Sequence, residues 1–170
     1  MSKFICGRLA KHHDRKAFHC GAVELDEYLR QRAGQDMRRR VAAVFVMAPE
    51  DEPTRIAGYY SLASASIALA ELPDEIVKRL PCYPVVRAIL IGRLARDVGF
   101  PGAGKLLLLD ALARSLRYTE EVASAVVLVD AKNEQARAFY SRYGFIEVSG
   151  VPDRMFLPMN TVERLLKADV

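Results

Sequence analysis

The spacing of apolar residues predicts alternating helices and strands along the first half of the chain. The stretch "AVELDEYLRQRAGQDMRR" (22–39) places apolar residues at steps of three and four, which favours a helix. The stretches "VAAVFVMA" (41–48) and "RIAGYYSLASASIAL" (55–69) are predicted to be adjacent strands, because an acidic turn with proline joins them. A short helix, "LPDEIVKRL" (72–80), follows.

The second half repeats this alternation. A β-branched strand is predicted in 85–97, a helix entered through glycines in 102–118 and a buried strand in 124–131. The next helix runs from Asn133 and ends at Gly144, and it is followed by strands in 145–150 and 153–159. A closing helix is predicted to be capped by Thr161. The pattern indicates an α/β fold with a mixed sheet, in which Val85 to Ala131 form one right-handed crossover.

Length and composition predict one globular domain over residues 1–170. The chain is 51% hydrophobic and 27% charged, and it contains neither repeats nor linker-like segments. No apolar run approaches the roughly 20 residues of a membrane span, and the start lacks a secretory apolar region. Three widely spaced cysteines favour reduced thiols in a cytoplasmic protein, and the histidines have no ligand spacing, so no metal site is predicted.

Positive charge is concentrated in the first predicted helix. The net charge is only +4, yet "RQRAGQDMRRR" (30–40) carries five arginines. A basic helix of this kind can contact phosphate groups or can simply form a solvated face. Both interpretations remain open on charge alone.

A glycine turn separates the strand in 85–97 from the following helix. Gly99, Gly102 and Gly104 would let backbone N–H groups at the helix start approach a phosphate. Neither common nucleotide motif is present, because the spacing to Lys105 is too short for a Walker loop and position 107 is leucine. The turn therefore indicates either a pyrophosphate site or a helix entry that needs flexible backbone.

Four stretches together resemble the GNAT N-acetyltransferases, and most closely the tRNA-acetylating toxins of bacterial toxin–antitoxin systems. They are "FHCGAVELDEYLRQRAGQD" (18–36), "AGYYSLA" (57–63), "YPVVRAILIGRLARD" (83–97) and "NEQARAFYSRYGF" (133–145). The resemblance implies the GNAT fold, a mixed central sheet of about six or seven strands flanked by helices. It also implies transfer of acetyl from acetyl-CoA to the amino group of an aminoacyl-tRNA, a ribbon-helix-helix antitoxin, and a homodimer without membrane association.

The same resemblance assigns roles to individual residues. The backbone of Leu94, Ala95 and Arg96 would pair with the pantetheine arm of acetyl-CoA. Amides from the turn would hold the pyrophosphate: Gly102, Ala103, Gly104, Lys105 and Leu106. Asn133 would contact the pantetheine, and the Tyr140 hydroxyl would protonate the leaving thiolate.

The resemblance also yields candidates for contacts with the RNA. These basic residues are Arg38, Arg39, Arg40, Lys78, Arg79 and Arg93. Phosphate contacts of this kind would give a salt-dependent affinity that is largely blind to sequence. A structural ion pair is the alternative role for Arg93.

The loop departs from the family pattern [RQ]-x-x-G-x-[GA]. Gly99 stands at the first position, so the basic or amide residue is missing. A second alignment places Pro101 on the usual Gln and Leu106 on the last glycine. Either alignment predicts weakened cofactor binding. Two other functions therefore stay open: acetylation of a small amine, an antibiotic or a protein N-terminus, and a non-catalytic binding module.

Overall fold

The part of the chain that the structure describes contains seven strands, which form one mixed sheet. The computed structural model describes residues 3–80 and 82–169. The strands, in chain order, are β1 (Phe4–Arg8), β2 (Ala43–Pro49), β3 (Gly58–Ala68), β4 (Val85–Arg96), β5 (Val126–Asp130), β6 (Ile146–Glu147) and β7 (Arg154–Pro158). They pair in the order β1-β2-β3-β4-β5-β7-β6, with β4 parallel to β5. The predicted α/β fold and the parallel connection from β4 to β5 are confirmed.

The helices fall where the apolar spacing places them, with two corrections. They are α1 (Val23–Glu27), α2 (Ala33–Arg38), α3 (Asp74–Val77), α4 (Ala103–Tyr118), α5 (Glu134–Arg142) and α6 (Met159–Ala168). The single helix predicted in 22–39 is interrupted by a π-helical turn, Tyr28–Arg32, in which the Ala33 N–H bonds to the Tyr28 carbonyl. Thr161 is not the cap of α6, because that helix begins at Met159 after Pro158.

The chain divides into two compact units. The first is drawn from Met1–Ala63 and Gly92–Ala111, and the second from Ser64–Ile91 and Leu112–Val170. The described core of the first unit includes Phe18, Leu29, Val44 and Tyr59, which pack α1 and the π-helical turn on β2 and β3. Because β1 pairs antiparallel with β2 from Phe4 to Arg8, the first unit gains an edge strand that the sequence pattern had not predicted.

The second unit has its own apolar core. It includes Ile67, Val86, Leu128 and Phe156, contributed by strands β3, β4, β5 and β7. All of Val126–Val129 in β5 is fully buried, as expected for an interior strand that pairs on both sides with other strands. Within the described part of the chain, no helix has the length and apolarity needed to cross a membrane.

Close packing of α4 and β4 against β3 makes Gly58 a steric constraint in the first unit. A Cβ atom at this position would stand 2.4 Å from the Leu107 Cδ1 and 2.9 Å from the Ala95 carbonyl oxygen. We predict that Gly58→Ala lowers the free energy of unfolding by about 1–3 kcal/mol, the usual result of overpacking. Urea denaturation measures the change.

Gly7 provides the matched control, because it also lies in a strand but a Cβ atom there meets nothing within 4 Å. Gly7→Ala should change the unfolding free energy by no more than about 0.5–1 kcal/mol. Equal effects of the two substitutions would contradict the packing described for Gly58.

Candidate functional site

The turn after β4 is held by a buried carboxylate. Asp97 is 8% exposed, and its Oδ1 accepts the Gly99 N–H at 2.8 Å while its Oδ2 accepts the His19 N–H at 2.9 Å. The Asp97 N–H in turn donates to the Ala57 carbonyl at 2.8 Å, and the Val98 N–H donates to the His19 carbonyl at 2.9 Å. The first residues of the glycine turn are therefore fixed to Ala57, which precedes β3, and to the segment before α1.

The end of the same turn presents donors that have no acceptor. Gly102 adopts a positive φ of 87°, and a Cβ atom there would meet nothing within 4 Å. The Ala103 N–H closes the turn on the Phe100 carbonyl, but in residues 3–80 and 82–169 the N–H groups of Gly102 and Gly104 make no hydrogen bond. Open space beside unpaired amides at the start of a 16-residue helix suits an anion, so the residues present fit a pyrophosphate.

Among the described residues, no strand pairs with the last residues of β4 along the edge that faces β5. The pairing of β4 with β5 covers Ala88 to Ile91, whereas β4 itself continues to Arg96. Leu94 is half-buried, Ala95 is buried and Arg96 is exposed, and the segment precedes the turn with the unpaired amides. An extended chain with amides and carbonyls could pair with this part of β4 as an added strand. Lys105 and Leu106, in the first turn of α4, are exposed.

Asn133 and Tyr140 lie at the two ends of α5 in the second unit. The Asn133 Oδ1 caps the helix by accepting the Ala136 N–H at 2.8 Å, so only its side-chain NH₂ stays available for a ligand. The helix ends as predicted at Gly144, which has a φ of 93°. Tyr143 packs its half-buried ring on Phe139, with centroids 5.3 Å apart.

Tyr140 differs from the other buried tyrosines. The hydroxyls of Tyr28, Tyr59 and Tyr60 each donate a hydrogen bond within the protein. Tyr140 is 6% exposed with its ring against Phe139 and Phe145, yet its hydroxyl has no partner among the described residues.

The Tyr140 hydroxyl nevertheless reaches the surface. No fully buried side-chain oxygen or nitrogen in the described residues lacks a partner. The unpartnered oxygen is therefore accessible, although most of the ring is covered. Burial, and secondly the Asp130 carboxylate, raise the pKa of Tyr140. The phenol consequently keeps its proton at neutral pH and is a hydrogen-bond donor.

A second buried carboxylate orders the segment before α1. Asp26 accepts the Cys20 N–H at 2.9 Å and pairs with the His19 Nδ1 at 3.1 Å. Burial pushes the pKa of Asp26 up, but hydrogen bonds from Cys20 and His19 outweigh it and leave the pKa below its ordinary value. Burial, followed by the Asp26 contact, raises the pKa of the Cys20 thiol to about 11, so a nucleophilic thiolate is not favoured there.

The basic residues predicted to contact RNA have different surroundings. Arg93 places its Cζ 3.6 Å from the centroid of the Tyr28 ring, so its guanidinium is engaged in a cation–π contact. This contact, rather than an ion pair, is its structural role. Lys78 and Arg79 are exposed after α3 in the second unit, and Arg38, Arg39 and Arg40 are exposed at the end of α2 in the first.

Arg38 also belongs to an open groove of about 430 Å³ in the first unit. Four of its eight lining residues are basic and none is acidic: Arg8, Leu9, Ala10, Lys11, Arg15, Gly34, Met37 and Arg38. The Nη1 atoms of Arg15 and Arg38 lie 3.3 Å and 3.4 Å from the point where a Cβ atom on Gly34 would stand. None of the four basic side chains has an ion-pair partner in the described residues. The groove is an electropositive surface without internal neutralisation.

Two relatives match nearly the whole chain. A probable toxin TacT of Sinorhizobium fredii is 34% identical over 163 residues, which cover 91% of this chain and 90% of the relative. A tRNA-acetylating toxin of Mycobacterium tuberculosis is 33% identical over 162 residues, which cover 94% of each chain. No profile of a known protein family matches the chain.

Solved structures extend the likeness to the fold. AtaT complexed with acetyl-methionyl-tRNAfMet has a TM-score of 0.88 and 25% identity, covering 96% of this chain and 99% of that one. An AtaT mutant bound to acetyl-CoA and the C-terminus of the antitoxin AtaR has a TM-score of 0.81 and 21% identity, covering 97% and 99%.

The sheet order, the glycine turn after β4 and these structural matches together define the GNAT fold. The chain belongs to the tRNA-acetylating toxins, a family of acetyltransferases within that fold. The resemblance stated from the sequence is thereby confirmed. A non-catalytic module and a small-amine acetyltransferase are not favoured by these relatives.

Residues that the sequence analysis did not single out also shape the site. Asp97 and Arg15 make contacts with segments distant in sequence, whereas Asp26 contacts Cys20 and His19, six and seven residues before it. Only Asp97 had a local signal, because an Asp two residues before a glycine is typical of an Asx turn.

The lowered pKa of Asp26 makes a pH-dependent contribution to stability. A folded-state pKa below the ordinary 3.8 means that the contribution is present above about pH 4 and is lost as the pH falls through the folded pKa. We predict that the stability difference between the native chain and Asp26→Asn is largest near neutral pH and shrinks towards pH 3. Urea unfolding at a series of pH values measures it, and a constant difference would contradict the assigned contacts.

Proposed function

We propose that this protein transfers acetyl from acetyl-CoA to the α-amino group of an aminoacyl-tRNA, and that it thereby blocks translation as the toxin of a toxin–antitoxin pair. The family membership supports this reaction, since a relative that is 33% identical is named a tRNA-acetylating toxin. The observation in this chain that carries the proposal is the accessible hydroxyl of Tyr140. Among the described residues, Tyr140 is the one buried tyrosine whose hydroxyl has no hydrogen-bond partner.

The reaction requires the protein to position the two substrates and to donate one proton to the leaving sulfur. Acetyl-CoA supplies a thioester, whose C–S bond breaks as a C–N bond to the amine forms. The α-amino group has a pKa of about 8, so a fraction is neutral and can attack at cell pH. The proton that its nitrogen must lose after the C–N bond forms can pass to solvent without a strong base. The Tyr140 hydroxyl donates its proton to the departing sulfur. The protonated state that its raised pKa secures is the one this role needs.

The remaining residues would hold the co-substrate. The unpaired amides of Gly102 and Gly104 at the start of α4 are the proposed pyrophosphate contacts, together with the amides of Ala103, Lys105 and Leu106. The unpaired edge of Leu94–Arg96 would receive the pantetheine arm, and the Asn133 side-chain NH₂ would donate to one of its carbonyl groups.

Substitution of the phenol tests the proposed acid. We predict that Tyr140→Phe lowers the rate of radiolabelled acetyl transfer from acetyl-CoA to charged tRNA by about a hundredfold or more, because a positioned general acid contributes 10²–10⁴-fold. Calorimetry with acetyl-CoA should give nearly unchanged affinity, because the ring is retained.

Tyr143→Phe is the matched control, since this tyrosine lies on the same helix with its ring packed on Phe139. It should retain most of the activity. Equal rates for Tyr140→Phe and the native chain would show that Tyr140 is not the general acid. Acetylation of free amines but not of charged tRNA by the native chain would overturn the RNA substrate.

The electropositive groove is the part of the surface that best suits an RNA backbone. Two guanidinium groups converge on Gly34, Arg8 and Lys11 line the same groove, and none of its lining residues is acidic. Repulsion between the like charges falls when a phosphate approaches. We therefore propose that Arg15 and Arg38 contact the tRNA backbone, with Arg39 and Arg40 beside them and Lys78, Arg79 and Arg93 as further candidates.

Salt dependence distinguishes phosphate contacts from a solvated face. We predict that the double variant Arg15→Gln/Arg38→Gln weakens tRNA binding and makes the slope of log K against log salt shallower by about 1.5, since each phosphate contact contributes about 0.7–0.9. Fluorescence anisotropy between 50 and 200 mM salt measures both quantities.

Lys167→Gln is the control for general loss of positive charge, because Lys167 is exposed on α6 and already pairs with Glu163 at 3.3 Å. An unchanged slope in the arginine variant, or the same change in the control, would show that the groove is a solvated surface that does not contact phosphates.

The proposal extends to assembly and location. AtaT binds the C-terminus of its antitoxin AtaR in a solved structure. We propose an antitoxin partner of the ribbon-helix-helix type for this chain, a homodimer as the working state, one domain over residues 1–170 and action in the cytoplasm. Family membership supports these points.

A further inference from the structure

The glycine turn has no basic side chain between Asp97 and Gly104. The first position, where the family pattern has Arg or Gln, is Gly99 in one alignment and Pro101 in the other, and neither residue is basic. The amide of Gly99 is already bonded to the Asp97 carboxylate at 2.8 Å, and that carboxylate adds a buried negative charge to the turn. A pyrophosphate approaching these residues would meet repulsion unless another group supplied positive charge.

Arg55 brings a guanidinium to this place from the turn between β2 and β3. Its Nη2 atom lies 3.2 Å from the point where a Cβ atom on Gly99 would stand. Its Cζ atom lies 4.8 Å from the centroid of the Phe100 ring, so the guanidinium is held over the turn by a cation–π contact. The Arg55 Nη1–Glu52 Oε2 distance is 3.6 Å and both side chains are half-exposed, which makes this ion pair weak.

We infer that Arg55 binds the pyrophosphate of acetyl-CoA and replaces the basic residue that the glycine turn lacks. This inference rests on the proposed function. The planar guanidinium can donate two parallel hydrogen bonds to phosphate oxygens, which a backbone amide cannot. The positive charge would add to the unpaired amides of Gly102 and Gly104 in the same unit.

Gly99 and Arg55 form a matched pair in this arrangement. A Cβ atom at position 99 would stand 3.2 Å from both the Arg55 Nη2 and the Asp97 Oδ1, so any side chain there would press on the guanidinium. The glycine therefore leaves room for an arginine that comes from a different part of the chain.

Calorimetric titration tests the assignment without relying on activity. Arg55→Ala should weaken acetyl-CoA binding by about 10- to 100-fold, because hydrogen bonds to charged groups contribute about 1.5–3 kcal/mol and each 1.4 kcal/mol is tenfold. The affinity of Arg55→Ala for dephospho-CoA, which keeps the pyrophosphate, should fall by the same factor. The KM for S-acetyl-pantetheine, which lacks the pyrophosphate, should not change.

Three further variants make the result specific. Glu52→Gln should bind acetyl-CoA at least as tightly as the native chain, because it removes only the weak partner of Arg55. Arg55→Lys, which keeps the charge and the fold, should show a smaller loss than Arg55→Ala. Gly99→Arg added to Arg55→Ala should recover part of the affinity, because the arginine then stands at the first position of the turn.

The possible failures separate the two levels of the argument. A native chain that binds no acetyl-CoA at millimolar concentration would overturn the proposed function and this inference together. Native binding with no loss in either Arg55 variant would overturn the inference alone. The inference alone would also be overturned if Glu52→Gln lost as much affinity for acetyl-CoA as Arg55→Ala. It would likewise be overturned if Arg55→Ala lost affinity for acetyl-CoA but not for dephospho-CoA.

Discussion

The carboxylate of Asp97 ties the glycine turn to two other segments of the first unit. It accepts the amide of Gly99 within the turn and the amide of His19, which is 78 residues away in sequence. Its own amide continues the pairing of β4 with Ala57. These three hydrogen bonds fix the start of the turn. Because the turn is held in one conformation, the amides of Gly102 and Gly104 at its end can stay unpaired and accessible.

The proposed pyrophosphate site depends on this constraint, because the turn departs from its family pattern. The side chain missing at Gly99 leaves a gap that the Arg55 guanidinium occupies, held by Phe100. The segment fixed by Asp97 also leads into Asp26 and α1, whose π-helical turn presents Tyr28 to Arg93. The groups proposed to bind ligands in the first unit are thus positioned by buried carboxylates and aromatic rings.

Much of the fold could be predicted from the sequence because its signals are local. The apolar run of β5, the Asn133 cap and the glycine end of α5 each follow from a few adjacent residues. Two elements could not be predicted from local patterns. The β1 strand depends on pairing with β2, and the π-helical turn depends on the backbone hydrogen bond from the Ala33 N–H to the Tyr28 carbonyl, five residues back. Thr161 has the right side chain for an N-cap, but Pro158 occupies the N-cap position and the helix begins at Met159.

The candidate site divides in the same way. Tyr140 and the glycine turn were found from residue pattern and resemblance, whereas the roles of Asp97, Arg15 and Arg55 depend on contacts between distant segments. Such contacts leave no periodic signal in one sequence. What distinguishes Tyr140 from Tyr28, Tyr59 and Tyr60 is likewise visible only in three dimensions, since each of those three hydroxyls has a partner.

The most direct measurement is a crystal structure of the native chain with acetyl-CoA. The account predicts that the pyrophosphate oxygens lie within hydrogen-bond distance of the Gly102 and Gly104 amides, with the thioester sulfur within reach of the Tyr140 hydroxyl. A pyrophosphate bound away from these amides, or a sulfur that no bound conformation brings near Tyr140, would contradict it.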